Sequence, residues 1–215
     1  MIRTIILMAA GSGERMDSKV PKQFLEINNQ PILAYTFKKF RKIKNLNIHI
    51  VLPHDGFDDW KKYISKYIDK ETILVRGGSH RNISVRNGVD SVTTNKGLIG
   101  IHDAVRPFLS KNLIRELFLE AEKNGNAVPY TKSTNSIRRI DGERNFAVER
   151  SEYVQIQTPQ IFDAKTLKKS LERIDNNNYN DEASLIEELG VEINLVEGEE
   201  NNIKITTEKD LKYFD

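Results

Sequence analysis

The sequence predicts an α/β fold: a mostly parallel central sheet flanked by helices, with a projecting β-arm. Three observations predict it. Short apolar runs alternate with segments of helical periodicity as far as about residue 130, the pattern of parallel strands joined by crossover helices. The first run, RTIILMAA, is continuously hydrophobic, which suits a central strand covered on both faces. The segment Thr131 to Glu152 then breaks the alternation, being polar and of mixed charge with only isolated apolar residues.

Taken in order, RTIILMAA leads into Gly11 and Gly13 and a polar loop, and Pro31 is placed to open a helix whose apolar positions are Leu33, Phe37 and Phe40. LNIHIVL reads as the second strand, and DDWKKYISKYI as a helix with Trp60, Tyr63, Ile64, Tyr67 and Ile68 on one face. TILV, a helix from about His80, and LIGI repeat the unit. Leu113, Ile114, Leu117 and Phe118 mark the next helix, followed by the strand AVPY. Residues 131–152 form a two-stranded arm, with Asp141-Gly142 as its turn. A lone hairpin is marginal in water, so this arm is expected to pack on a second copy of the chain. Beyond QTPQIF come a helix from Ala164, an asparagine-rich loop at Asn176 to Asn180, and a short helix from Glu182 to Leu189 ended by Gly190. The strand VEINLV and a closing helix capped at Thr207, with Asp210 three residues on, complete the chain.

The 215 residues, 38% hydrophobic and 30% charged, are enough for one core, and a single domain over residues 1–215 is expected. There is no cysteine, which excludes thiol nucleophiles, zinc ribbons and iron–sulfur clusters. His49, His54, His80 and His102 show no metal-ligand spacing. A net charge of +2 is too mild for a nucleic-acid groove, and the run Lys38 to Lys44 reads as a solvated helix end. No apolar stretch approaches the roughly 18 residues of a membrane span, and the first apolar run is too short for a secretion signal. No nucleic-acid or membrane partner is therefore expected, and cytoplasmic residence is.

The stretch AAGSGERMDSKVPKQF carries the most chemistry. Glycines directly after a buried strand let backbone N–H groups converge on an anion such as a triphosphate, and Arg15 and Lys22 add fixed positive charge. Neither the dinucleotide fingerprint nor the P-loop is present: Met16 stands at the third glycine, and no Gly-Lys-Ser/Thr closes the stretch. His102-Asp103 follows the strand LIGI, and ligands of open parallel sheets bind beyond the C-terminal ends of strands. Asp103 is thus placed to hold a magnesium ion or a sugar hydroxyl, and Arg106 to meet phosphate, the alternative being that the two simply pair. Magnesium is the apt metal because a triphosphate provides most of its hard oxygen ligands. Arg150, Thr158 and Lys204 are further candidates.

Through AAGSGERM with PKQF, GGSHRNIS, HDAVRPF, QTPQIF, NDEASLIEELG and LVEGEENNIKITT, the chain resembles the 2-C-methyl-D-erythritol 4-phosphate cytidylyltransferase family. It is also similar to the ribitol-5-phosphate cytidylyltransferases. The resemblance covers nearly the whole chain and implies a Rossmann-like nucleotidyltransferase fold. It implies cytidylyl transfer from CTP to a sugar- or polyol-phosphate in non-mevalonate isoprenoid biosynthesis, with Mg²⁺ and a homodimer formed through the arm. In that reading Arg15 and Lys22 grip the triphosphate, while Ala10, Gly11, Gly13, Gly78 and Ser84 line the nucleotide site. Asp103 organises magnesium and both substrates. Arg106, Arg150, Thr158, Asn180 and Lys204 serve the acceptor, Arg150 across a dimer interface. Arg15, Lys22, Arg150 and Lys204 are the expected catalytic set. Two departures stand out: Asn180 replaces the threonine usual before the acidic pair, and Ser79 stands where some relatives carry an acidic residue. Ribitol 5-phosphate as acceptor, and a nucleotide-binding protein without turnover, are the alternatives.

Overall fold

The computed structural model describes residues 1–11, 20–172 and 179–214. Strand β1 (Arg3–Met8) leads through two two-residue strands, β2 (Glu26–Ile27) and β3 (Gln30–Pro31), to helix α1 (Ile32–Arg41). The alternation continues with β4 (Asn47–Leu52), α2 (Phe57–Ile64), β5 (Ile73–Arg76), α3 (Arg81–Asp90), β6 (Leu98–Asp103) and α4 (Lys111–Asn124). Next come β7 (Asn126–Lys132), the arm strands β8 (Arg138–Asp141) and β9 (Arg144–Ala147), β10 (Val154–Ile156), β11 (Gln160–Asp163), α5 (Ala164–Glu172), α6 (Glu182–Glu187) and β12 (Leu195–Glu197).

The main sheet runs β10-β7-β11-β6-β1-β4-β5, with β12 beside β7. The pairs β6–β1, β1–β4, β4–β5 and β7–β12 are parallel, whereas β11 and β10 enter antiparallel. The expected mostly parallel sheet is therefore present. Along β1 successive side chains enter different cores, as the two-residue period of a strand requires. Ile5 and Leu7 join Phe37, Phe40, Leu117 and Phe118 from α1 and α4. Ile6 joins Val85, Val89, Leu167 and Ile186 from α3, α5 and α6. Both strand faces are thus covered, which is why RTIILMAA reads as an unbroken apolar run. Helix α4 starts where the Ser110 hydroxyl accepts from the Leu113 N–H and stops at Gly125, whose φ of +82° favours glycine.

Four local readings shift. Of VEINLV only Leu195 and Val196 lie in a strand, which runs on to Glu197. Helix α2 ends at Ile64, where the chain turns so that Tyr63 and Tyr67 both direct their hydroxyls to Glu26 Oε1, at 2.5 and 3.4 Å. The closing segment Glu208–Phe214 is a 3-10 helix, because the Asp210 carboxylate itself accepts from the Thr206 and Thr207 N–H groups, both at 2.8 Å. In the arm Asp141 pairs with Arg144, so the turn residues are Gly142 and Glu143. Gly142 alone has positive φ (+60°), the pattern of a type II′ turn. Strands β8 and β9 form their own sheet, exposed along their whole length, with Ile140 78% accessible.

Candidate active site

Strands β1, β4 and β6 end level with one another, Met8 beside Val51 on one side and Asp103 on the other. The loops leaving these ends, together with those after β5 and β12, line an open cleft of about 1150 Å³. This is where an open parallel sheet collects ligand-binding groups. Ala10, Gly11 and Lys22 come from the first loop, His54 and Asp55 from the second, Gly78 to Arg81 and Ser84 from the third, Asp103 from β6, and Lys204 from the C-terminal segment.

The glycine backbone is fixed by side chains behind it. Buried Gln23 donates through Nε2 to the carbonyls of Ala9 (2.7 Å) and Gly11 (2.9 Å), which orients the start of the loop. Gly77 donates its N–H to the Leu52 carbonyl at 2.8 Å, and a Cβ there would stand 2.8 Å from that oxygen and 2.9 Å from the Ala10 Cβ. The backbone of the third loop therefore lies against the first only because residue 77 has no side chain. Ser84 Oγ accepts from the Gly78 N–H at 3.0 Å and holds the turn into α3.

The charged floor centres on Asp103. Its Oδ2 meets Lys204 Nζ at 2.9 Å and Arg106 Nε at 3.4 Å. Burial would raise this carboxyl, but Lys204 first and Arg106 next hold it down, to about 2, so it is ionised at neutral pH. Arg106 also donates to the Asn202 carbonyl at 2.7 Å, and Asn202 Nδ2 donates to the Thr158 carbonyl at 2.8 Å. The Asp103 N–H donates to Thr158 Oγ1 at 3.1 Å, and that hydroxyl lies 3.0 Å from His102 Nδ1. Burial pulls the His102 imidazole down to about 3. At the edge of the cleft Arg81 grips Glu182 through two contacts of 2.8 and 3.2 Å, and burial pushes the Glu182 carboxyl up despite that partner. Among the described residues no three carboxylates or histidines gather as a self-sufficient metal site. Both ion pairs of Asp103 among the described residues use Oδ2, and Asp103 lines the cleft, so its carboxylate is a hard oxygen donor of the kind that fits magnesium completed by phosphate oxygens.

The family model for IspD, 2-C-methyl-D-erythritol 4-phosphate cytidylyltransferase, matches residues 3–214. A 2-C-methyl-D-erythritol 4-phosphate cytidylyltransferase of Bacteroides fragilis is 38% identical over 214 residues, covering 99% of this chain and 97% of that protein. This chain belongs to the 2-C-methyl-D-erythritol 4-phosphate cytidylyltransferase family. Among solved structures of the family, the 4-diphosphocytidyl-2C-methyl-D-erythritol synthase of Anaerococcus prevotii superposes with a TM-score of 0.85 at 28% identity, over 99% of this chain and 93% of that one. The cytidylyltransferase of Thermus thermophilus gives 0.79 at 27%, over 98% and 95%. The nucleotidyltransferase fold follows from these likenesses.

Set against that family, the cleft brings together Ala10, Gly11, Lys22, Gly78, Ser84, Asp103 and Lys204. Arg106 and Thr158 lie beneath Asp103, engaged with it rather than on the lining. Arg150 lies elsewhere, in a hollow at the base of the arm, where it donates to the Thr134 carbonyl at 2.8 Å. Asn180 is exposed and not part of the cleft lining, although Asp181 next to it caps α6. Gly13 and Arg15 lie outside the described residues, as do residues 176–178 of the asparagine-rich loop. Sequence reasoning gave no role to Gln23, Arg81 or Asn202. For Gln23 a signal existed, since it sits inside the quoted PKQF. Arg81 in GGSHRNIS and Asn202 in LVEGEENNIKITT carried the same signal, but their partners, about 100 and 45 positions away, are revealed by no local pattern.

Proposed function

We propose that this chain transfers the cytidylyl group of CTP to 2-C-methyl-D-erythritol 4-phosphate, giving 4-diphosphocytidyl-2-C-methyl-D-erythritol and pyrophosphate. The observation that carries it is one cleft holding both a glycine-backed nucleotide wall and the Asp103–Lys204–Arg106 cluster, with Lys22 on the same lining. The acceptor phosphate has a second pKa of about 6, so at neutral pH its oxygen attacks the α-phosphorus without a dedicated base. The obstacle is repulsion between two polyanions. Lys22 and Arg15 attract the triphosphate, while Lys204 and Arg106, two cations against one carboxylate, leave net positive charge for the acceptor. Rate enhancement then comes from alignment and fixed charge around an in-line displacement that expels pyrophosphate. The Gly78 N–H is committed to Ser84, so the carbonyl of this braced backbone is the group able to accept from the exocyclic amine of a cytosine.

Magnesium held by Asp103 and phosphate oxygens would supply charge neutralisation along the triphosphate. The arm, residues 131–152, pairs two copies of the chain in this reading, with Arg150 serving the partner's acceptor site. Its support is the placement of Arg150 outside the cleft of its own chain and the exposure of Ile140 and Phe146 on the arm.

Pyrophosphate release from the purified chain, with CTP, UTP, ATP or GTP and either methylerythritol phosphate or ribitol 5-phosphate, tests the reading. Turnover is expected with CTP and methylerythritol phosphate. Preference for ribitol phosphate would replace the acceptor, and CTP binding without release under either acceptor would end the assignment.

A further inference from the structure

His102 is the last residue but one of β6, beside Asp103, yet its ring faces the interior: it is 0% exposed and stands edge-on to Phe40 with centroids 4.8 Å apart. Its two nitrogens have different partners. Nε2 lies 3.2 Å from the Arg106 carbonyl, which can only accept. Nε2 must therefore carry a hydrogen. With no carboxylate among its hydrogen-bond partners, the buried ring is neutral, and Nδ1 is left with a lone pair. The neighbour of Nδ1 at 3.0 Å is Thr158 Oγ1, which must donate its only hydrogen to it. That same oxygen accepts from the Asp103 N–H at 3.1 Å. One ring thus orders a chain of polar contacts from the Arg106 carbonyl through Thr158 to the Asp103 amide.

We propose that His102 is a positioning residue for cytidylyl transfer, its Nε2–H tautomer fixing the Thr158 hydroxyl and, through it, the backbone that presents Asp103 and Arg106. The ring grips both ends of the turn that carries these two groups, and both side chains act on the cleft floor with Lys204. With Thr158 directing its hydrogen inward, its hydroxyl has none to give a phosphate oxygen, so it works by bracing Asp103. Loosening that brace lets the carboxylate move relative to Lys204, and acceptor alignment suffers while the nucleotide wall, built from other loops, does not. The proposal rests on the functional reading above.

Three substitutions separate the contacts. His102→Phe keeps the ring shape and loses both polar contacts; His102→Asn keeps a polar group near the Nδ1 position; His102→Gln keeps one near Nε2. Removing a group that orients a metal-binding side chain, the role Asp103 has in the functional reading above, costs roughly 10–100-fold in affinity or activity. The acceptor kcat/KM of His102→Phe is expected to fall by about that range while CTP affinity measured without magnesium, which reads the nucleotide wall alone, stays near the wild-type value, and His102→Asn should recover more of the loss than His102→Gln. Wild-type acceptor kcat/KM in His102→Phe overturns the proposal. Recovery by His102→Gln alone removes Thr158 from it. Nitrogen-15 NMR of the wild-type protein is independent of turnover and of whether a variant folds: a pyrrole-type Nε2 and a pyridine-type Nδ1 are expected, and the reverse tautomer sinks the proposal. If the wild-type chain makes no product, the functional reading fails while this spectrum still tests the contacts.

Discussion

Lys22 is held by its neighbours more than by its own backbone. Gln23 ties the segment to the first loop, and Phe24 stacks on Trp60 with ring centroids 4.1 Å apart and planes at 5°. The ammonium group is thereby carried to the cleft on a short rigid turn. Lys22→Ala is expected to keep the fold and lower kcat by the equivalent of about 2.7–4 kcal/mol, the loss typical of one donor to developing charge. Circular dichroism and steady-state turnover check it, and near-wild-type turnover would remove Lys22 from the reaction. Trp60 is the only tryptophan and lines the cleft. CTP should therefore change the intrinsic fluorescence in a saturable titration, whereas a flat response would place the nucleotide elsewhere. Lysine, glycine and aspartate were legible in the sequence because their types announce charge and tight turns beside strand ends. The direction of the Thr158 hydroxyl was not, since it is set by partners 55 and 56 positions away.

Among the elements, the third loop and the arm make opposite demands on their surroundings. At Gly77 an added methyl group meets the Leu52 carbonyl oxygen and the Ala10 Cβ, both below 3.0 Å. Gly77→Ala should push the third loop from the first, weakening CTP binding and lowering the melting temperature together; unchanged values for both would mean the two loops tolerate separation. Strands β8 and β9 are exposed along their length, and among the described residues the side-chain contacts between them are Arg138 with Asn145 and Arg139 over the Phe146 ring at 5.5 Å. Excision of residues 138–147, with a short polar turn in their place, should yield monomers by light scattering that still bind CTP. A dimer that survives the excision would move the interface elsewhere. The hairpin itself was readable from Asp141-Gly142, but its turn sits one residue later than expected, because only the residue bearing the positive φ has to be glycine. Helix α2 was read too long because periodicity persists in Tyr67 and Ile68 after the helical backbone has ended.

Across the whole molecule, acid should act through the floor of the cleft. His102 in the folded chain takes a proton only near pH 3, against an ordinary value of 6.5, so the unfolded chain binds the extra proton throughout that interval. Stability from this residue is complete above pH 6.5 and declines as pH falls toward 3. Asp103, held to about 2 against 3.8, adds a loss in the same direction at lower pH. Urea midpoints measured across this range should fall with acidity, more shallowly for His102→Phe; an identical slope would mean the imidazole is accessible to protons in the native state. The alternation of runs sufficed to foresee the layered sheet, since each run is locally periodic. It did not show β12 lying parallel to β7, a pairing between segments about 65 residues apart. That late pairing sets an order of events during synthesis. Lys204 follows β12, and Ile205 docks through its N–H on the Val105 carbonyl at 2.9 Å. Until β12 has been made and has joined β7, the sheet carries Asp103 without its lysine, so the strand added last is the one that completes the charge of the floor.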